Sequence, residues 1–202
     1  MDNIPYLSFI IPAKDEEKSV NKLYEEIVAV TTKLNKTFEI IFVDDGSVDN
    51  SFKLIKSLSK NDKNIKAYKL RGNFGKSVAL SVGFSKSKGN IIFTLDGDLQ
   101  DDPKEIPNFL KKLNEGFDMV SGWKKIRYDP TSKTFPSKIG NTLARNLTGV
   151  KIHDFNSGYK AYKRSVIENL NLYGELYKFI PILAFKQNFI LQNRFAVHIF
   201  FF

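Results

Sequence analysis

The sequence predicts an α/β domain built on a mostly parallel sheet. Three observations carry this: short apolar runs alternate with amphipathic stretches at helical spacing, the alternation repeats at βα intervals, and acidic turns close several of the apolar runs. Tyr6–Pro12 is an apolar run closed by proline and reads as a buried strand. Asp15 is placed to cap the following helix, whose apolar stripe is Val20, Leu23, Tyr24, Ile27 and Val30. Phe38–Val43 is a second strand, ending in Asp44-Asp45-Gly46-Ser47, and Phe52, Leu54, Ile55 and Leu58 mark the next helix. A third strand runs from Ile65 to Leu70, followed by a helix from Ser77 to Ser85. Ile91–Leu95 is a fourth strand, ending in Asp96-Gly97-Asp98; a helix over 103–113 and a strand over 118–121 follow.

The 202 residues suit one domain, with 42% hydrophobic and 26% charged residues and no repeat. Cysteine is absent, which excludes disulfides and thiolate metal sites. The first residues show no signal-peptide pattern, and no apolar stretch approaches the roughly 18 residues that span a bilayer. The net charge of +9 reads either as a lysine-rich solvated surface or as attraction to anionic lipid or phosphorylated substrates. The lysines follow helical faces rather than sitting between stacking aromatics, which argues against nucleic acid.

In parallel α/β sheets ligands bind at the carboxyl ends of the strands, where the acidic turns fall. Asp96-Gly97-Asp98 puts two carboxylates on one turn, hard oxygen ligands suited to Mg²⁺ or Mn²⁺ and, through the ion, a diphosphate. A bare D-x-D motif is weak by itself; its place at the end of an apolar strand strengthens it. Asp45 reads either as a plain turn residue or as an acceptor for a ribose or base edge. Gly72–Ser77 ends like a P-loop, yet that motif needs glycine where Leu70 stands; the G-x-G-x-x-G fingerprint is missing after the first strand.

Several motifs taken in order resemble the inverting family 2 glycosyltransferases with a GT-A fold, a Rossmann-like, mostly parallel sheet flanked by helices. They are Ile11–Glu17, Val43–Ser47, Arg71–Lys76, Leu95–Asp101, Asn156–Lys160 and Gly174–Pro181. The subgroup they resemble holds dolichyl-phosphate mannose synthase and bacterial polyprenyl-phosphate glycosyltransferases. The resemblance implies transfer of a hexose from a UDP- or GDP-sugar to a polyprenyl phosphate, with Mg²⁺ or Mn²⁺ as cofactor. It implies that Pro12, Ala13, Glu16, Asp45, Lys76, Asp96 and Gly97 bind the nucleotide-sugar, and that Asp98 and Gln100 serve the metal and diphosphate. Asp154 is the candidate catalytic base, or else a capping residue. Arg127, Ser157 and Lys178 are candidates for acceptor or donor phosphate, with surface cations as the plainer reading of Arg127 and Lys178. The family usually has Asn where Asp15 stands and Arg where Gly72 stands.

The resemblance covers about residues 6–185, expected to be the catalytic domain (1–185), and fades after Ala184. The relatives' basic segment is replaced by a short atypical tail (186–202), as in a truncated copy, and the closing aromatics read either as a buried strand or as an interfacial tail. The expected setting is cytoplasmic, peripheral at the inner face of the cell membrane, with self-association left open. The alternative is a non-catalytic nucleotide-sugar-binding remnant.

Overall fold

A computed structural model of the chain describes residues 4–124, 157–170 and 176–197. The strands are β1 (Leu7–Ala13), β2 (Phe38–Asp44), β3 (Ile65–Lys69), β4 (Ile91–Thr94), β5 (Met119–Lys124), β6 (Lys160–Lys163) and β7 (Leu191–Val197). The helices are α1 (Val20–Lys33), α2 (Ser51–Asn61), α3 (Lys76–Lys86), α4 (Ile106–Asn114), α5 (Arg164–Glu168) and α6 (Ile180–Lys186), with 3-10 turns at Pro103–Glu105 and Leu176–Phe179. The sheet order is β3-β2-β1-β4-β6-β5-β7. Every neighbouring pair is parallel except those made by β6, which runs against both β4 and β5. The mostly parallel α/β sheet read from the sequence is therefore the one observed. Residues 191–197 enter it as a strand beside β5.

The chain leaves β1 toward β2 and β3, then returns to place β4 on the other side of β1. The resulting crevice between β1 and β4 is the switch point at which open α/β sheets take ligands. The strands here are apolar on both faces, as burial between helix layers requires. Ile40 and Phe42 pack with α1 and α4 residues such as Leu23, Ile27 and Phe109; Ile41 and Val43 pack against Ala79 of α3. Ile10 and Ile92 meet Leu80, Phe84 and Tyr162 on the α3 side.

An aromatic ladder crosses the first core. Phe9 stacks on Phe93 (centroids 5.3 Å), Phe93 meets Phe109 edge-on (5.8 Å), and Phe109 lies against Tyr159 (4.4 Å). Such pairs stabilise by about 0.5–1.5 kcal/mol each beyond the area they bury. The ladder ends at Tyr159, whose hydroxyl donates to Asp102 O (3.1 Å), so the core fixes the short segment just before β6.

At the opposite, amino-terminal edge of the sheet a buried polar network ties β1, β2 and the α3–β4 connection together. Glu39 Oε1 accepts from Ser8 Oγ and from Lys88 N, both at 2.6 Å, and Glu39 Oε2 pairs with Lys66. Ser8 Oγ in turn accepts from Gly89 N (2.7 Å), and Arg164 donates to Gly89 O through Nε (2.9 Å) and Nη2 (2.6 Å).

Asp15 does not cap α1, as the sequence suggested. The N-cap is Ser19, and its hydroxyl turns back to donate to Glu16 Oε2 (2.8 Å) and Glu16 O (3.1 Å). Asp15 has left-handed backbone (φ 57°), and its Oδ1 accepts from Val48 N (2.8 Å) across the neighbouring loop. A carboxylate four residues ahead of the cap instead accepts from an amide of the neighbouring loop.

Candidate functional site

A cleft of about 350 Å³ opens at the carboxyl ends of β1, β2 and β4, lined by Pro12, Ala13, Lys14, Glu16, Asp45, Asn73, Gly75, Lys76, Asp96, Gly97 and Asp98. Each of its loops is held by the others. Glu16 N donates to Ser51 Oγ (2.6 Å), Asp15 N to Ser47 Oγ (2.9 Å) and Glu17 N to Asp49 Oδ2 (3.1 Å), while Asn50 N donates back to Glu17 Oε2 (3.0 Å). The β1–α1 and β2–α2 loops are thus stapled into one rigid wall, so Glu16 enters the cleft from a fixed backbone.

Asp45 forms the next wall. It is nearly buried; its Oδ1 accepts from Phe74 N (2.8 Å) and its Oδ2 from Gly75 N (2.9 Å), and the Asn73 side-chain amide, with its nitrogen turned toward Asp45, would add a third bond to Oδ2 (3.1 Å). Between these loops, Gly46 (φ 74°) lies so close to the next turn that a Cβ would fall 2.6 Å from Gly72 C. A side chain at Gly46 would therefore push the β3–α3 loop off Asp45.

Asp96 is fixed from several directions. Its amide donates to Asp101 Oδ2 (3.0 Å), and its Oδ1 pairs with the Lys76 ammonium. Its carboxylate rests on Gly158, where a Cβ would lie 2.4 and 2.5 Å from the two oxygens. Gly158 is pinned in turn, its carbonyl accepting from Thr94 Oγ1 (2.7 Å) beside the aromatic ladder's last ring. Lys76 also lies over the Tyr177 ring at 5.7 Å, within cation–π range. Burial alone would lower the Lys76 ammonium pKa, but the Asp96 charge and hydrogen bond override it and hold it above the ordinary lysine value.

Asp98 is exposed at the cleft rim and its Oδ1 accepts from Gln100 N (3.1 Å). The residue between them, Leu99, has left-handed backbone (φ 63°) with its side chain buried in the core. Such a conformation costs a non-glycine residue on the order of 1–3 kcal/mol and persists only where packing imposes it. Burial and the charges of Asp98, Asp96 and Asp49 push the Glu16 carboxyl upward against the Ser19 hydrogen bond, so its pKa lies above the usual value. Four carboxylates, Glu16, Asp45, Asp96 and Asp98, against two lysines, Lys14 and Lys76, leave the cleft short of positive charge.

Of the residues singled out in the sequence, the structure brings Pro12, Ala13, Glu16, Asp45, Lys76, Asp96, Gly97 and Asp98 together in this cleft. Gln100 is exposed and reaches Asp98 through its backbone amide. Ser157 is buried, with its hydroxyl turned to Tyr159 O (3.4 Å), and does not line the cleft. Asp154, Arg127 and the Lys178 side chain lie outside the described residues. Gly158, Asn73 and Tyr177 lie inside motifs the sequence reading quoted but were given no role; their contact partners are 62, 28 and 101 positions away, a separation that no local pattern records.

Comparison with known proteins decides the family: the model of glycosyl transferase family 2 matches residues 8–170. The chain belongs to glycosyl transferase family 2. Among curated relatives of this family, it is 37% identical over 183 residues to the undecaprenyl-phosphate 4-deoxy-4-formamido-L-arabinose transferase of Shewanella sediminis, covering 90% of this chain and 55% of that protein. It is 36% identical over 178 residues to the dodecaprenyl-phosphate galacturonate synthase of Rhizobium johnstonii, covering 87% of this chain and 53% of that protein. The chain thus spans about half the length of the curated relatives it matches. Among solved structures, glucosyl-3-phosphoglycerate synthase from Mycobacterium tuberculosis, crystallised with Mn²⁺ and UDP-glucose, superposes with a TM-score of 0.71 at 20% identity, over 96% of this chain and 70% of that one. That likeness is one of fold, and agrees with the GT-A expectation.

Proposed function

We propose that this family 2 chain transfers one glycosyl residue, with inversion, from a UDP- or GDP-sugar to a polyprenyl phosphate presented at the cytoplasmic membrane face. The observation that carries the reading is the convergence of Glu16, Asp45, Lys76, Asp96 and Asp98 in one cleft at the sheet's switch point. The relatives' names support the acceptor class. They also widen the expected hexose, since one names a formamido-arabinose and the other a galacturonate.

In this reading the Asp45 wall receives the base and ribose, and Lys76 and the Asp96–Asp98 turn receive the diphosphate. Among the described residues no group of three or more acidic or histidine side chains forms a complete metal cage. That suits Mg²⁺ or Mn²⁺ held by one or two carboxylates and completed by substrate phosphates and water. Asp98, exposed at the rim beside Asp96 and Glu16, fits as the holding carboxylate, and the excess of acid in the cleft favours a divalent cation. When bound, the ion would neutralise charge on the departing diphosphate. An acceptor phosphate oxygen forms the new bond to the anomeric carbon from the face opposite the diphosphate, whose C–O bond breaks with its electron pair leaving on the nucleotide. A phosphate monoester is mostly ionised at neutral pH, its second pKa being about 6, so its oxygen attacks without a strong base. Asp154 keeps the role of base only if a proton must be removed.

Isothermal titration of UDP and GDP in chelator, Mg²⁺ and Mn²⁺ tests the metal reading. Binding is expected to need the ion and to weaken at least about tenfold in Asp98→Ala. Equal binding in chelator, or by the variant, removes the metal from the scheme. Asp45→Ala is expected to cost nucleotide binding about 1–3 kcal/mol and to speed hydrogen exchange at the Phe74 and Gly75 amides. Unchanged affinity with faster exchange would make Asp45 a loop fastener alone.

A further inference from the structure

The chain's net charge is not spread over it. Residues 51–88 contain ten of the 31 Lys and Arg residues and only one of the 22 acids, Asp62, leaving 21 basic and 21 acidic residues elsewhere. The whole excess of nine therefore belongs to α2, β3, α3 and their connections. In the fold these elements share one end of the sheet: β3 is an edge strand, α2 packs on it, and α3, seated on β1 and β2, reaches it through Lys86 at the Tyr68 ring. Lys66 and Lys76 are spent on Glu39 and Asp96. Lys53, Lys56, Lys60, Lys69, Arg71 and Lys86 are all exposed. On α2 the first three recur at helical spacing as one stripe, opposite the buried Ile55. Lys69 lies over the Phe52 ring (4.9 Å) and Lys86 over the Tyr68 ring (5.9 Å), which anchors two ammonium groups along the strand.

Two apolar side chains stand beside this edge. Val48 is 92% and Phe74 59% exposed, on the β2–α2 and β3–α3 loops that touch at Gly46 and Gly72. One exposed apolar residue is ordinary. Two on adjoining loops at the cleft rim, bordered by unopposed cations, match the chemistry of a lipid interface, where positive charge meets headgroups and apolar tips enter beneath them.

We propose that the α2–β3–α3 edge docks on an anionic lipid surface, with Val48 and Phe74 entering the headgroup layer and the cleft rim held at the bilayer. The choice of lipid as the anion rests on the polyprenyl-phosphate reading; the charge asymmetry itself does not. Nucleic acid fits less well, because Phe52 and Tyr68 are half-buried beneath lysines and leave Phe74 as a single exposed ring rather than a row on which successive bases could stack.

Co-sedimentation of the full chain with phosphatidylcholine vesicles, with and without about one-third phosphatidylglycerol, tests the proposal without any acceptor lipid present. Binding is expected only with phosphatidylglycerol, and to fall steeply with salt. The triple variant Lys53→Gln/Lys56→Gln/Lys60→Gln should bind anionic vesicles roughly 10²-fold more weakly, about fivefold per lysine. Phe74→Ser should weaken binding while leaving its salt dependence unchanged. The triple variant's melting temperature and nucleotide affinity should match the parent's, since its lysines lie outside the cleft. Equal binding to neutral vesicles, unchanged binding by the triple variant, or tighter binding to duplex DNA than to anionic vesicles would overturn the proposal. So would self-association of the triple variant with its vesicle binding intact, which would make the lysines guards of an open strand edge. Failure of the parent chain to bind anionic vesicles, with its nucleotide binding intact, sinks the docking surface alone. Vesicle binding without nucleotide binding sinks the nucleotide-sugar reading of the cleft alone.

Discussion

Gly158→Ala is expected to lower nucleotide affinity about tenfold and glycosyl transfer about 10²-fold, the scale of a reacting group misplaced by roughly 1 Å. The alanine methyl would lie 2.4–2.6 Å from the Asp96 carboxylate. Because Gly158 is tied through Thr94 and the rings of Phe109 and Tyr159, the carboxylate moves rather than the glycine. Asp96 would then give up its Lys76 partner, and both groups would leave the positions that define the cleft. The backbone at Gly158 is not left-handed, so an alanine is conformationally tolerated and the damage falls on the site. Titration of UDP and GDP with Mn²⁺, beside a thermal melt, separates the two. Full nucleotide affinity in a folded variant would show that Asp96 does not depend on that floor.

The second large effect is on stability. Glu39→Ala should destabilise the chain by about 3 kcal/mol, the low end for breaking a buried ion pair, because Lys66 remains part-exposed. For a domain of this size that corresponds to a melting temperature lower by roughly 6–12 °C. The variant leaves the Lys88 amide and the Ser8 hydroxyl without their acceptor at the base of β1 and β2. Nucleotide affinity well below the melting temperature should be unchanged, since the network lies at the strand ends away from the cleft. The pH dependence follows from the same group. Burial pushes the Glu39 carboxyl up, yet hydrogen bonds from Lys66, Ser8 and the Lys88 amide outweigh it and hold the pKa below its ordinary 4.5. A carboxyl lowered by folding contributes stability that is complete above its unfolded value and lost as pH falls through the folded one. The parent should therefore lose stability below about pH 4.5 more steeply than Glu39→Ala. Parallel acid profiles would assign the network no electrostatic share.

What the sequence made legible follows the range of the interaction that determines it. β1 to β4, α1 to α4 and the start of β5 are written in local periodicity, and their acidic ends mark the cleft because parallel strands place their carboxyl ends together. The order of the sheet is not local: β6 reverses between β4 and β5, pairings set by residues some seventy and some forty positions apart. Asp15 was misplaced as a cap because spacing cannot tell which of two nearby amides a carboxylate will accept from. Asp45, read as either turn or ligand contact, fastens the Phe74 and Gly75 amides, a choice that depends on a loop 29 and 30 residues away. Gly158 carried no chemistry of its own to notice. Its importance lies in the methyl group it lacks beneath Asp96.

The reversed β6 also orders events during synthesis. Strands β1 to β4 and helices α1 to α3 emerge first and can pair as a parallel unit, but the outer edge of β4, Ile91–Thr94, stays bare until Lys160–Lys163 arrives. At about 5–20 residues per second, the ribosome needs several seconds to cover that stretch. During that time a mostly apolar strand edge is open to other nascent chains, an arrangement prone to edge-to-edge association. The floor beneath Asp96 comes from the same late segment, so the carboxylate takes up its final position only when the sheet closes. Protection of β4 and completion of the cleft are therefore a single step on the ribosome, and a fragment ending before residue 160 should aggregate with its cleft unfinished.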